Sequence, residues 1–467
     1  MLSVHERIQR LLDPHSFEPF EPDLSGFFIC GRGRVDGREV YVSASNTGTP
    51  ACAPWAGIRQ EVRFLESILA DPLPTVFLVD AQKPVTATAG KTPVPPDAAE
   101  LHAGKECVGR TYYLQALLQK RVPLVGGLFG KVAAALSFPL ALCDAVVMVE
   151  GAALCTGRPD AVKLMLGQEV TFEELAGARM HCTVSGTGHA LVSSDEDALD
   201  WIRRYLSFFP QRAGDQPPCA VAVEPSASAA SLGELIPSDC LRPFEVHGLI
   251  DGIIDEGSLL EVKTLKAPEV VTGLVRIEGR VAGIVANNPR VQGGILFPDT
   301  CRKMSQFIET CGSFDIPLVF LVDTPGFMVG RESEEAGIVK AGADLFASIT
   351  HCRSPRLCIV VRKAYTAGLY AMAASGFSPA RLLALPTASI SVYGRKALER
   401  FAAAGGLTEE GSRMLEQMLR NVENPYEFLD KGLLDGVIGL EDIRGEIASF
   451  LVGCDHTRRD RPFGGRQ

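Results

Sequence analysis

The sequence predicts an α/β fold arranged as two tandem domains, residues 1–225 and 226–467. One observation is the alternation of short, nearly apolar runs, such as Thr75-Val76-Phe77-Leu78-Val79 and Leu318-Val319-Phe320-Leu321-Val322, with helical stretches. That alternation marks a largely parallel sheet covered by helices. A second is that the pattern starts again halfway. Val35-Asp36-Gly37-Arg38 is echoed by Ile277-Glu278-Gly279-Arg280, Phe77-Leu78-Val79-Asp80 by Phe320-Leu321-Val322-Asp323, and Gly130-Lys131-Val132 by Arg362-Lys363-Ala364. The echoes keep one order and a spacing of 232 to 243 residues. No solenoid unit is that long, so they point to a duplicated domain. The third lies in 316–372, where two buried runs break into the turns Asp323-Thr324-Pro325-Gly326 and Tyr365-Thr366-Ala367-Gly368. Strand, sharp turn and helix is how an α/β fold presents backbone N–H groups at the carboxyl end of its sheet.

The elements follow in order. Residues 27–45 read as a β-hairpin turning at Asp36-Gly37. A helix over 59–69 leads to the strand at 75–80, and the Pro-, Ala- and Thr-rich stretch 81–104 reads as a loop. Next come a helix over 112–120, the strand Val122-Pro123-Leu124-Val125-Gly126-Gly127-Leu128-Phe129, and a helix over the alanine-rich run that follows. Helices are predicted over 172–178 and 195–208, and 210–238 reads as the linker.

Composition bounds the function. With 46% hydrophobic and 22% charged residues the 467-residue chain is ordinary globular material, and its net charge of −10 argues against a nucleic-acid partner. Glu6 and Arg7 stand where a secretion signal needs apolar residues, and the apolar zone 122–155 is interrupted by Lys131, Pro139 and Asp144. No membrane partner is expected. The thirteen cysteines show no metal-ligand spacing, so they read as reduced thiols with no metal site. A cytoplasmic location is expected.

Several chemical motifs fail. Ala89-Gly90-Lys91-Thr92 looks like the end of a phosphate-binding loop, but Val85 stands where the first glycine is required. Gly31-Arg32-Gly33 lies in a hairpin. His181 and His189 read as surface or hydrogen-bonded residues of a turn-rich stretch rather than catalysts. What remains lacks a nucleophile and a base. Tyr365-Thr366-Ala367-Gly368 offers small residues on a strand-to-helix turn, and Lys131-Val132-Ala133-Ala134-Ala135 is its counterpart in the first half. Two pairs of backbone donors would suit a reaction in which negative charge develops on two separate carbonyl oxygens.

At these residues the chain resembles the carboxyltransferase (β) subunits of biotin-dependent acyl-CoA carboxylases, over nearly its whole length. Gly326-Phe327-Met328-Val329-Gly330-Arg331-Glu332 and Phe377-Ser378-Pro379 look like the 3-methylcrotonyl-CoA and geranyl-CoA branch, whereas Arg362-Lys363-Ala364-Tyr365 is similar to the propionyl-CoA and acetyl-CoA branch. The resemblance implies two tandem crotonase-like (ClpP/crotonase) domains, the N-terminal one on the acyl-CoA side and the C-terminal one on the biotin side. It implies a homohexamer with its sites at subunit interfaces. It also implies biotin as cofactor, carried by a biotin carboxyl carrier subunit and charged by a biotin carboxylase.

By the same resemblance, Ala367 and Gly368 donate N–H groups to the biotin urea oxygen, with Tyr365, Thr366, Gly326 and Phe327 around the cofactor. Ala134 and Ala135 take the place of the donors facing the thioester carbonyl, with Ala133 as the alternative register, and Tyr370 matches a position that selects the acyl group. In the family mechanism carboxybiotin releases CO2, the biotin anion takes the α-proton, and the enolate captures CO2. Removing one such donor costs ~3–4 kcal/mol of transition-state stabilisation. Two departures stand out. The family's first-half turn carries Gly-Gly where this chain has Ala134-Ala135, and its Ser-Gly-Gly-Ala-Arg segment is replaced by Asp80-Ala81-Gln82-Lys83-Pro84. The alternatives are the carboxyltransferase subunit of a biotin-dependent decarboxylase, such as glutaconyl-CoA decarboxylase, and a non-catalytic member that binds CoA esters.

Overall fold

The computed structural model describes residues 1–21, 27–45, 54–81, 103–227, 229–237, 239–240, 242–392, 399–400, 403, 410–411, 413–414 and 424–459. The run Ala89-Gly90-Lys91-Thr92 and most of the predicted loop over 81–104 lie outside them. The chain forms two compact units, Met1–Gln216 and Pro217–Gln467.

Each unit's sheet contains a hairpin whose turn the sequence encodes directly. In the first, β2 (Phe28–Val35) and β3 (Arg38–Ser45) pair antiparallel. The two turn residues, Asp36 and Gly37, both take positive φ, 50° and 75°, the type I′ geometry that matches strand twist. The Asp13 carboxylate accepts both turn N–H groups, at 3.0 and 2.7 Å. In the second unit β11 (Val270–Ile277) and β12 (Arg280–Asn287) meet at Glu278 and Gly279, with φ of 48° and 75°. There Asp255 accepts the same two N–H groups at 2.8 and 2.7 Å. The echo at Val35 and Ile277 is thus one turn built twice, down to its buttressing carboxylate.

The sheets then extend alike. In the first unit a short β1 (Glu18–Pro19) flanks the hairpin. On the other side β4 (Thr75–Val79), β5 (Leu124–Leu128), β7 (Ala145–Val149) and β9 (Ala190–Val192) add in parallel, giving the order β1-β2-β3-β4-β5-β7-β9. In the second unit β10 (Leu260–Glu261), β13 (Leu318–Thr324), β14 (Arg356–Tyr365), β15 (Arg381–Ala384) and β17 (Gly436–Val437) give β10-β11-β12-β13-β14-β15-β17. Every residue of β4, β5, β7 and β13 is buried, as strands covered on both faces must be. Helices over Pro54–Ala70 and Val108–Leu118 cover the first sheet, and Pro298–Ser313 and Ile338–His351 the second. Phe64, Leu65, Phe77 and Leu124 belong to the first core, and Leu249, Ile284, Leu321 and Ile359 to the second.

Two expectations need correction. The alanine-rich run after Gly130 does not start as a helix: Lys131–Ala133 is a strand, β6, and Ala134–Leu136 a 3₁₀ turn, before a five-residue helix at Ser137–Ala141. Parallel pairing of β6 with β8 (Ala153–Cys155) gives these residues ladder hydrogen bonds, which outweigh alanine's helix propensity. The stretch 210–238 is not all linker, because Ala229–Leu235 is helical and Leu232 and Ile236, four residues apart, bury one face in the second core.

Each unit buries an arginine on the carboxylate that ends its central strand. Arg362, on β14, donates to Asp323 at 2.7 Å, is fully buried, and stacks over Phe244 with its guanidinium carbon 4.7 Å from the ring centre. In the first unit Arg7, from the helix Val4–Leu11, pairs with Asp80 at 2.7 Å and stacks over Phe129 at 4.4 Å. The strand position corresponding to Arg362 there is Gly130, where an added Cβ would lie 1.9 Å from Asp80 Oδ1.

His247 carries a pH dependence. It lies between Glu261 (2.9 Å) and Glu245 (3.2 Å), and the hydrogen bond to Glu261 above all raises its pKa from 6.5 to about 9. A raised folded-state pKa stabilises the fold fully below pH 6.5, and that contribution is lost as pH rises through about 9. His247→Gln should therefore flatten the fall in unfolding midpoint between pH 6.5 and 9. An unchanged slope would mean the pair is energetically silent.

Candidate active site

In the second unit the last three residues of β14 pair with β16 (Ser389–Ser391), ending at Tyr365 opposite Ser391. The Thr366 N–H donates to the Ser391 carbonyl at 3.0 Å, and the chain then turns sharply into the short helix Ala367–Ala371. Thr366 makes the turn at φ 45° and ψ −130°, a conformation costly for a β-branched residue. Ala367 and Gly368 supply the first two N–H groups of the helix, and among the described residues neither has an acceptor.

Gly368 is required by its neighbours. A Cβ there would stand 2.8 Å from Gly326 Cα, 3.1 Å from Gly326 N and 3.0 Å from Thr324 Cγ2. Gly326 has φ of 113°, so both partners in this backbone-to-backbone contact are glycines for cause. Its N–H is engaged by Thr324 Oγ1 at 3.1 Å and its carbonyl by the Leu296 N–H at 3.0 Å. Gly326 therefore shapes the turn and has no free donor. Phe327 packs over Gly342, where a Cβ would lie 3.1 Å from its ring, and meets Phe346 edge-on at 6.0 Å. The Tyr365 hydroxyl is 3.1 Å from Ser389 Oγ, and Tyr370, one helical turn beyond Ala367, is 45% exposed.

The first unit repeats the arrangement with a break. After β5 the chain passes Gly130, and β6 pairs with β8 until Ala133 stands opposite Cys155. Among the described residues nothing accepts from the N–H groups of Ala135 or Leu136. The pairing makes Ala133 the counterpart of Tyr365, so Ala135 and Leu136 occupy the places of Ala367 and Gly368. Counted from the first residue of the turn, as Ala367 is of its helix, the counterparts are Ala134 and Ala135, the pair read from the sequence. Ala135 does not take positive φ, so its methyl group imposes no backbone strain.

The turn is pinned twice: Tyr112 donates to the Ala135 carbonyl at 2.9 Å and Ser137 to the Cys155 carbonyl at 2.7 Å. Tyr112 was not legible as a site residue, since its placement depends on helix Val108–Leu118 crossing the turn. His181 and His189 are both held: His181 Nε2 is 2.6 Å from the Leu154 carbonyl, and His189 Nδ1 accepts from the Val146 N–H at 3.2 Å. The 134–136 and 366–368 segments contain no titratable side chain. They can stabilise charge and cannot move protons by themselves.

The chain is similar to known proteins in sequence and in fold. The family described as the carboxyl transferase domain matches residues 97–466. An uncharacterized carboxylase of Bacillus subtilis, YngE, is 38% identical over 91% of this chain and 83% of its own. The carboxyltransferase subunit of a propionyl-CoA carboxylase of Haloferax mediterranei is 30% identical over 99% of this chain and 92% of its own. Among solved structures, the transcarboxylase 12S hexamer with hydrolyzed methylmalonyl-coenzyme A bound superposes with a TM-score of 0.87. It is 28% identical and covers all of this chain and 92% of that one.

Proposed function

Because the chain belongs to the carboxyl transferase domain family, we propose that it moves a carboxyl group between biotin on a carrier protein and an acyl-CoA. The observation that carries the reading is the repeated turn, in which each unit ends a strand in N–H groups with no acceptor among the described residues. When bound, biotin supplies the carboxyl group and a urea nitrogen able to take the α-proton of the thioester.

The residues of the second turn fit a urea oxygen. Ala367 and Gly368 offer adjacent donors, and the Gly326–Gly368 contact keeps side chains away from them. Ala135, with its neighbours Ala134 and Leu136, is assigned to the thioester carbonyl, whose oxygen gains negative charge as the α-proton leaves. Fixed backbone dipoles need no reorganisation as that charge develops, so neither turn requires an acid or a base. Tyr370 is assigned to acyl selection because it stays exposed beside the donors.

The partners in this reading are a biotin carboxylase and a biotin carboxyl carrier protein, in a homohexamer like the 12S relative, whose solved form is a hexamer assembly. A cytoplasmic location suits the twelve described cysteines, all free. Among the described residues no helix is long and apolar enough to cross a membrane.

The test is incubation with carboxybiotin against a panel of acyl-CoAs, and in reverse with biotin and malonyl-type thioesters. Carboxyl transfer with at least one thioester is expected. Intact oligomers that transfer to none would overturn the reading.

A further inference from the structure

We propose that Tyr112 is a positioning residue for the acyl-side turn, its hydroxyl holding the Ala135 carbonyl so that the Leu136 N–H points at the thioester oxygen. The inference rests on the function proposed above and adds a residue to which no role has been given.

The argument begins with the peptide bond. The Ala135 carbonyl and the Leu136 N–H belong to one rigid, trans-planar unit and point in opposite directions, so fixing the oxygen fixes the N–H. Tyr112 Oη lies 2.9 Å from that oxygen. A carbonyl can only accept, so the phenol donates. Donation to a carbonyl also polarises its amide and makes the N–H a stronger donor.

The second unit has less need of such a brace. Its donors open the five-residue helix Ala367–Ala371, and the Met372 N–H closes back on the Gly368 carbonyl at 3.2 Å. The first unit has only the three-residue 3₁₀ turn Ala134–Leu136. Hydrogen-bond geometry in such turns is poorer, and an external brace supplies what the helix supplies elsewhere.

The tyrosine is itself held in place. It projects from helix Val108–Leu118, its ring meets Phe138 edge-on at 5.8 Å, and Leu136 packs against the first core. Burial, followed by the charge of the Glu61 carboxyl, raises the Tyr112 phenol above its ordinary value of 10.0. The hydroxyl therefore keeps its proton at neutral pH and remains a donor.

Tyr112→Phe keeps the ring and removes only the hydroxyl. With a thioester the wild type accepts, kcat should fall about tenfold with KM unchanged, short of the roughly 10²–10³-fold lost when an oxyanion donor is removed outright. The infrared stretch of a ¹³C-labelled thioester carbonyl, red-shifted on binding to the wild type, should shift less in the variant. Tyr113→Phe, at the exposed neighbour, should change neither. An active wild type with an indifferent Tyr112→Phe, or a variant changed in KM alone with the carbonyl stretch intact, would overturn this proposal and leave the proposed function standing. A wild type inert on every thioester would overturn both.

Discussion

Gly368→Val should lower carboxyl transfer by at least about 10²-fold, the loss seen when an oxyanion donor is removed. The mechanism is steric and local. A Cβ at 368 meets the Cα and N of Gly326 at 2.8 and 3.1 Å, and neither is the end of a flexible side chain. The helix Ala367–Ala371 must lift away, carrying the Ala367 and Gly368 N–H groups with it. Even Gly368→Ala should show a large part of the loss, since its one carbon already makes these contacts. The measurement is the transfer assay with any accepted thioester, beside elution volume and melting temperature. Activity within a few-fold of wild type, with the fold intact, would sink the assignment of these donors.

The second large effect concerns stability. Arg362→Met leaves the Asp323 carboxylate buried without its guanidinium partner. Breaking a buried pair from one side costs about 3–5 kcal/mol, and Lys363, whose Nζ lies 3.4 Å from Asp323, holds the expected loss to the lower end of that range. The Arg362–Asp323 pair is 0% and 2% exposed, whereas Arg331–Glu335, a pair one turn apart on the surface, is 89% and 63% exposed. Arg331→Met should move the urea midpoint by no more than about 0.5 kcal/mol equivalent. Equal effects at the two sites would contradict the buried-pair account.

Much of the fold could be read from the chain because its signals were local. The Asp36-Gly37 turn, the apolar β4 and the second-half turn at Tyr365 each rest on residues adjacent in sequence, and the echoes joined them into two halves. The start of β6 could not be read. Lys131-Val132-Ala133 pairs with Ala153–Cys155, some twenty residues on, and only that pairing makes a helix former into a strand. The acyl-side register has the same origin, because Ala133, Ala134 and Ala135 look alike until the ladder shows that the strand stops at Ala133. Tyr112 and the Gly326–Gly368 contact depend on segments brought together from far apart, and a single sequence carries no sign of either.

The arginines make the two halves unequal. Asp80 and Asp323 are the same carboxylate twice, but one is neutralised from the N-terminal helix and the other from the strand beside it. A side chain of any size at Gly130 collides with Asp80, and Arg7 is already paired with that carboxylate. Moving the cation from helix to strand is therefore a two-step change whose single-step intermediates carry either a collision or a lone buried charge. Each half therefore keeps its own solution, and a chimera that exchanges the central strands without also exchanging the first helix inherits the defect.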